Sequence, residues 1–128
     1  MTLTAGLRGQ AATQVTTDKT ADSLGSGDLP VFGTPALVAL MEQAAVNAVA
    51  GHLEPAETTV GTVIEVTHLA ATPVGLAVRA EAELIGVDGR KLTFLVQAYD
   101  AREKIGHAQH QRIIVSRDRF LLKAAQKR

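Results

Sequence analysis

The segment TPALVALMEQAAVNAVAG, residues 34–51, constrains this chain more than any other. Between Pro35 and Ala50 it holds no lysine or arginine, and its only strongly polar side chains are Glu42, Gln43 and Asn47. A helix with apolar residues on every side cannot rest on a surface; it has to be covered from several directions. Its ends are punctuated. Thr34 suits an N-cap, Pro35 the first helical position, and Gly51 the residue just past the C-terminus.

The cover is found downstream, where everything from Thr58 to Val115 reads as strand. TVGTVIEVTHLAA is a long β-branched run, and TPVG at Thr72–Gly75 is a turn. LAVRAEAELI alternates, with Leu76, Val78, Ala80, Ala82 and Leu84 on one face and Arg79, Glu81 and Glu83 on a wet one. Asp88-Gly89 signals a two-residue hairpin, and KLTFLVQAY answers it with Leu92, Phe94, Val96 and Ala98 inward. A last strand runs from Lys104 to Val115, followed by a basic amphipathic helix. Upstream, a weak strand pattern covers Leu7 to Thr17. ADSLGSGDLPVFG then forms a thirteen-residue loop, long enough for a lid or a binding segment.

The fold class is therefore α+β: a strand, a long loop, a helix, and a four-stranded antiparallel meander that curls around the helix. At 128 residues the chain, 1–128, is one domain with one core. Aromatic residues are scarce (Phe32, Phe94, Tyr99, Phe120), so Val, Leu, Ile and Ala must fill that core. One sheet cannot cover the helix on all sides. A second copy of the chain is expected on the far side, as a homodimer.

Acidic and basic residues balance at 13 each, which gives no charge argument for a nucleic acid or an acidic membrane surface. The absence of cysteine excludes disulfides, thiolate metal sites and a cysteine nucleophile. No stretch reaches the ~20 apolar residues of a membrane span, and a soluble, cytoplasmic protein is expected.

Four positions stand out chemically. Glu42 lies on a largely apolar stripe with Val38, Ala45 and Val46. A carboxylate there must be solvated, paired or shifted in pKa; the bland alternative is a narrow wet edge shared with Gln43 and Asn47. His68 falls on the strand face of Ile64 and Val66, where a lone histidine is more often a satisfied core residue than a functional one. Gly61 inside a strand marks either a bulge or an amide that a ligand approaches closely. Thr34 has a complete explanation as a cap. His107 and His110 fall on opposite faces of the last strand, His52 follows the helix, and no carboxylate is placed for a metal site. Thr34 and Glu42 are about 12 Å apart along an ideal helix. They either flank opposite ends of one bound group or share a site with residues from a second chain.

TPALVALME…AVNA, followed by LEPAETTVGTVIEVTHLAATPVGLAVRAEAELIGVDGRKLTF, strongly resembles the fluoroacetyl-CoA thioesterase family of hotdog-fold proteins from Val31 through Arg112. The resemblance implies a hotdog: a long central helix wrapped by a curved antiparallel sheet, and a dimer. It implies hydrolysis of a small acyl-CoA thioester without metal or other cofactor, coenzyme A being part of the substrate. It implies a catalytic set of Thr34, Glu42 and His68, with Gly61, Arg112 and Phe32 as substrate-binding positions. Two rivals remain on the same fold: a hydratase-type enzyme, and a non-catalytic acyl-CoA or small-ligand binding protein. The lid is a departure. Fluoroacetyl-selective members have a phenylalanine-rich segment before the threonine, whereas SLGSGDLPVFGT has only Phe32, which points to a broader acyl range. The basic end, Arg112 to Arg128, is either a solvated helix or a set of contacts for the phosphates of coenzyme A.

Overall fold

The computed structural model describes residues 2–128. Its elements are β1 (Arg8–Gln14), a 3-10 turn (Thr17–Lys19), α1 (Ala21–Leu24), α2 (Thr34–Val49), β2 (Glu57–His68), β3 (Ala77–Asp88), β4 (Lys91–Asp100), β5 (Lys104–Ser116) and α3 (Arg117–Ala125). The five strands form one antiparallel sheet in the order β1-β3-β4-β5-β2, curled around α2. This is the helix-in-sheet architecture that the family resemblance implied.

The inward alternation holds along the sheet. Val78, Ala80, Ala82 and Leu84 of β3 and Leu92, Phe94, Val96 and Ala98 of β4 are all buried. They meet Leu37, Met41, Ala44, Ala45, Ala48 and Val49 of α2. Small residues on that helix face let the sheet come close. At Gly9 of β1 an added Cβ would meet the backbone of Ala44 and Ala48, so the contact exists only because that side chain is absent. On the outer face Arg79 pairs with Glu81 at 3.2 Å and lies 4.6 Å over the Tyr99 ring.

The meander expectation needs correction. β3, β4 and β5 are hairpin neighbours, but β2 sits beyond β5 at the far edge. The stretch between His68 and Ala77 is too long for a tight hairpin and carries the chain across the end of the sheet instead. It is pinned there by the Val31–Pro73 bridge and by the buried Thr72 hydroxyl, which donates to Asp100 Oδ2 at 2.8 Å. The hairpin turn itself is Gly89-Arg90, one residue later than expected, with Gly89 supplying the positive φ.

The thirteen-residue loop is partly ordered into α1, which ends at Gly25 with φ 73°, and it is tied down by the Thr20–Phe32 bridge. α2 is covered on one side only. Pro35, Ala39, Gln43, Val46, Asn47 and Ala50 form an exposed stripe, as one sheet leaves it. No helix of the described residues is long and apolar enough to cross a membrane.

Candidate active site

Two groups of polar side chains line the junction of α2 with β2. The first stands at the start of the helix. Thr34 is not the N-cap: Gly33 holds the extended capping conformation, and Thr34 is the first helical residue. Glycine fits because the backbone of Ala21 crowds that position, and Thr34 is thereby released from capping. Its Oγ1 lies 2.9 Å from His68 Nδ1. His68 comes from the end of β2, half-buried, with the buried Phe32 ring edge-on at 6.5 Å. Its Nε2 is buried without a hydrogen-bond partner among the described residues. Burial lowers the His68 pKa below the usual imidazole value, against a smaller opposing effect of the Ala70 backbone, so the ring is neutral at pH 7. Thr34, Phe32 and His68 line a cleft of about 310 Å³ with Ala21, Val31 and Ala70.

The second group is centred on Glu42, two helical turns further along. Arg112 Nη1 donates to Glu42 Oε2 at 3.2 Å, with the guanidinium 7% and the carboxylate 39% exposed. The arginine is held on every side. Nε donates to Thr59 Oγ1 at 2.9 Å, Nη2 to the Thr59 carbonyl at 3.2 Å, and Nη1 also to His110 Nε2 at 3.1 Å. An arginine only donates, so His110 Nε2 must be an acceptor. The His110 proton then sits on Nδ1 and is donated to the Val63 carbonyl at 2.7 Å. Burial lowers the His110 pKa, and the Arg112 charge adds to that, which keeps this tautomer uncharged.

Gly61 completes the second group. It pairs with Arg112 across the ladder, and a Cβ there would fall on Glu42 Oε2. The bulge reading of Gly61 holds, since the register shifts between Gly61 and Val63. The extra residue, Thr62, reverses the alternation. Gly61 therefore faces α2 together with the even-numbered Ile64, Val66 and His68.

Thr34 and His68 are thus in contact, as are Glu42, Gly61 and Arg112, and the two groups lie apart along α2. Phe32 is a buried wall behind His68 rather than an exposed contact. Gln43 and Asn47 make the wet edge: Gln43 Nε2 donates to Asn47 Oδ1 at 3.0 Å, and Asn47 Nδ2 to the Gln10 carbonyl at 2.8 Å. Glu42 is separate from that edge. Sequence reasoning missed His110 and Thr59. His110 was legible, being two residues from Arg112 and so on the same strand face. The described residues contain no group of three or more histidine, aspartate or glutamate side chains able to hold a metal ion.

A family model described as fluoroacetyl-CoA-specific thioesterase matches residues 15–118. The fluoroacetyl-CoA thioesterase of Streptantibioticus cattleyicolor is 47% identical over 97 residues, covering 76% of this chain and 70% of that protein. A solved structure of a fluoroacetyl-CoA thioesterase matches with a TM-score of 0.93 at 40% identity, covering 100% of this chain and 99% of the other. The crystal structure of a mutant of such an enzyme, in complex with fluoroacetate and CoA, matches with a TM-score of 0.86 at 40% identity, covering 92% and 99%. The likeness runs through sequence and fold together, and on it the chain belongs to the fluoroacetyl-CoA-specific thioesterase family.

Proposed function

We propose that this chain hydrolyses a small acyl-CoA thioester, with Thr34, Glu42 and His68 as its catalytic set and no metal or redox cofactor. The observation that carries the site assignment is the Glu42 carboxylate, part-open to solvent yet tied to a buried arginine and turned toward Gly61. In the reaction the acyl–sulfur bond breaks, an acyl–oxygen bond forms, and the departing thiolate takes up a proton. Glu42 acts by attacking the carbonyl carbon or by taking a proton from the water that attacks; either route needs a carboxylate held still. Arg112, itself fixed by Thr59 and His110, holds it. The Gly61 amide is assigned to the thioester oxygen. His68 is neutral and aligned through Nδ1 by Thr34, and its Nε2 is assigned to the proton on the departing sulfur.

Because Thr34 and Glu42 are about 12 Å apart along the helix, the complete site is assigned to two copies of the chain. β2 is an edge strand, and its free side adjoins the exposed stripe of α2, where Val46 and Val63 are uncovered. Along this seam α2 climbs from Thr34 to Glu42 while β2 descends from His68 to Gly61. A two-fold axis between copies therefore brings the Thr34–His68 pair of one toward Glu42 and Gly61 of the other.

The acyl group is small and its selectivity broad. The single aromatic ring before Thr34 is buried behind His68, which leaves no aromatic cover for the acyl pocket. The fluoroacetyl-to-acetyl ratio of kcat/KM is expected to stay below about a thousand.

The test is free-thiol release from a panel of short acyl-CoA thioesters, on wild type and Glu42→Gln. Release should fall by at least about 100-fold in the variant. Equal rates in the two proteins would remove Glu42 from the mechanism.

A further inference from the structure

A cleft of about 860 Å³ lies away from Thr34, Glu42 and His68. It opens between the end of β5 and α3, and Arg90, Arg119, Lys123 and Lys127 all line it. No acidic side chain does, although the chain as a whole carries equal numbers of acids and bases. Arg90 is tied to Glu57 at 2.9 Å, whereas no ion pair engages the other three cations among the described residues. Arg119 and Lys123 are one helical turn apart on α3, and Lys127 repeats that spacing in the turn that follows. The one acid of the helix, Asp118, lies outside the lining. Arg119, Lys123 and Lys127 share one side of the helix, against an apolar floor of Ile114 and the part-exposed Phe120 ring, while Arg117 lies outside the lining.

We propose that this cleft binds the phosphate-bearing adenosine end of the acyl-CoA substrate, with the cations on the 3′- and 5′-phosphates and Phe120 against the adenine. The assignment rests on the acyl-CoA thioesterase reading and deepens it. Coenzyme A is uncharged along its pantetheine arm and strongly anionic at the nucleotide, so it calls for two unlike surfaces joined by a neutral path. Ile114 of the cleft is the next inward position after Arg112 on β5, about 7 Å along the strand. The cleft therefore begins one side chain beyond the arginine that holds Glu42. Phosphates favour such a cluster because each guanidinium or ammonium makes charge-assisted hydrogen bonds with them, and the flat nucleobase stacks on an aromatic ring.

The experiment compares the double variant Arg119→Ala/Lys123→Ala with wild type on two thioesters of one acyl group, the CoA ester and the N-acetylcysteamine ester, which lacks the nucleotide. KM for the CoA ester should rise at least about ten-fold with kcat nearly unchanged, the loss expected from removing charge-assisted phosphate contacts. The truncated ester should not register the change. In parallel, calorimetric titration with adenosine 3′,5′-bisphosphate should show binding to wild type that weakens with salt and with the double variant. Equal losses on both esters, or no bisphosphate binding to wild type, would overturn the assignment. So would binding of a single-stranded oligonucleotide in place of the bisphosphate. A wild-type protein that cleaves neither ester would instead overturn the thioesterase reading, with the titration still deciding the cleft.

Discussion

At Gly61 one hydrogen atom stands where a methyl group would collide with a catalytic candidate. The nearest obstructing atom, Glu42 Oε2, is the end of a flexible side chain, and the next, Arg112 Nη1 and His110 Cε1, are side-chain atoms too, so an alanine there pushes the carboxylate aside rather than splitting the sheet. Gly61→Ala should lower kcat about 100-fold, the cost of displacing a reacting group by an ångström, while the thermal midpoint barely moves. Steady-state kinetics and a melting curve on the same preparation check both halves. The same logic explains His110. Its value lies in being a neutral acceptor beside a cation, a role that neither phenylalanine nor a charged imidazolium fills. Of the site, Glu42, His68, Gly61 and Arg112 were legible as residues. From its position alone Thr34 reads as a cap, the commonest job for a threonine at a helix start, and only the family resemblance gave it a catalytic role. It took the crowding of Gly33 by Ala21 to free it.

Among the elements, β1 and α2 approach so closely that only Gly9 permits it. Here the obstructing atoms are helix backbone, Ala48 N and Ala44 O, which cannot swing away. Gly9→Ala should therefore destabilise the fold by about 1–3 kcal/mol, as overpacking does. The urea midpoint measures it, and an unchanged midpoint would mean that β1 separates freely from the helix. The contrast between the two glycines follows from what each faces: a movable carboxylate at Gly61, a rigid helix at Gly9. Element boundaries were well marked in the sequence wherever alternation or a glycine turn was present. The crossing of β2 to the far edge was not, since the pairing of β2 with β5 depends on contacts remote in sequence.

For the molecule as a whole, two histidines, the half-buried His68 and the buried His110, tie stability to pH. Burial lowers the pKa of both His68 and His110 from 6.5. Of the charged groups near them, Arg112 reinforces the lowering at His110 and Glu42 opposes it. The unfolded chain then binds more protons than the native one just below the usual imidazole pKa. Their contribution to stability is complete above that value and is lost as the pH falls from it through the lower folded-state values. The urea midpoint should drop between about pH 7.5 and pH 5.5 and should drop less in His110→Asn. A shared site makes a further prediction at this scale. Glu42→Gln and His68→Ala, each inactive alone, should regain activity when unfolded and refolded together, because a mixed dimer then holds one intact set. No recovery would place the whole set within one chain.

What the sequence determined by itself was the local periodicity. The 3.6-residue run without a wet face requires a wrapped helix. The two-residue alternation names the inward side chains, and the glycines mark the turns. The family motif named the chemistry. Only the tertiary structure decided which residues meet. Counted along β2, Gly61 and His68 differ in parity and should point to opposite faces. The bulge at Thr62 slips the register by one residue and turns both toward α2. The same sheet sets Arg112 and His110 of β5 against Glu42, seventy positions away from the arginine. Periodicity repeats along a strand and so can be read from the chain, whereas a one-residue slip in pairing is fixed by the balance of contacts across the sheet.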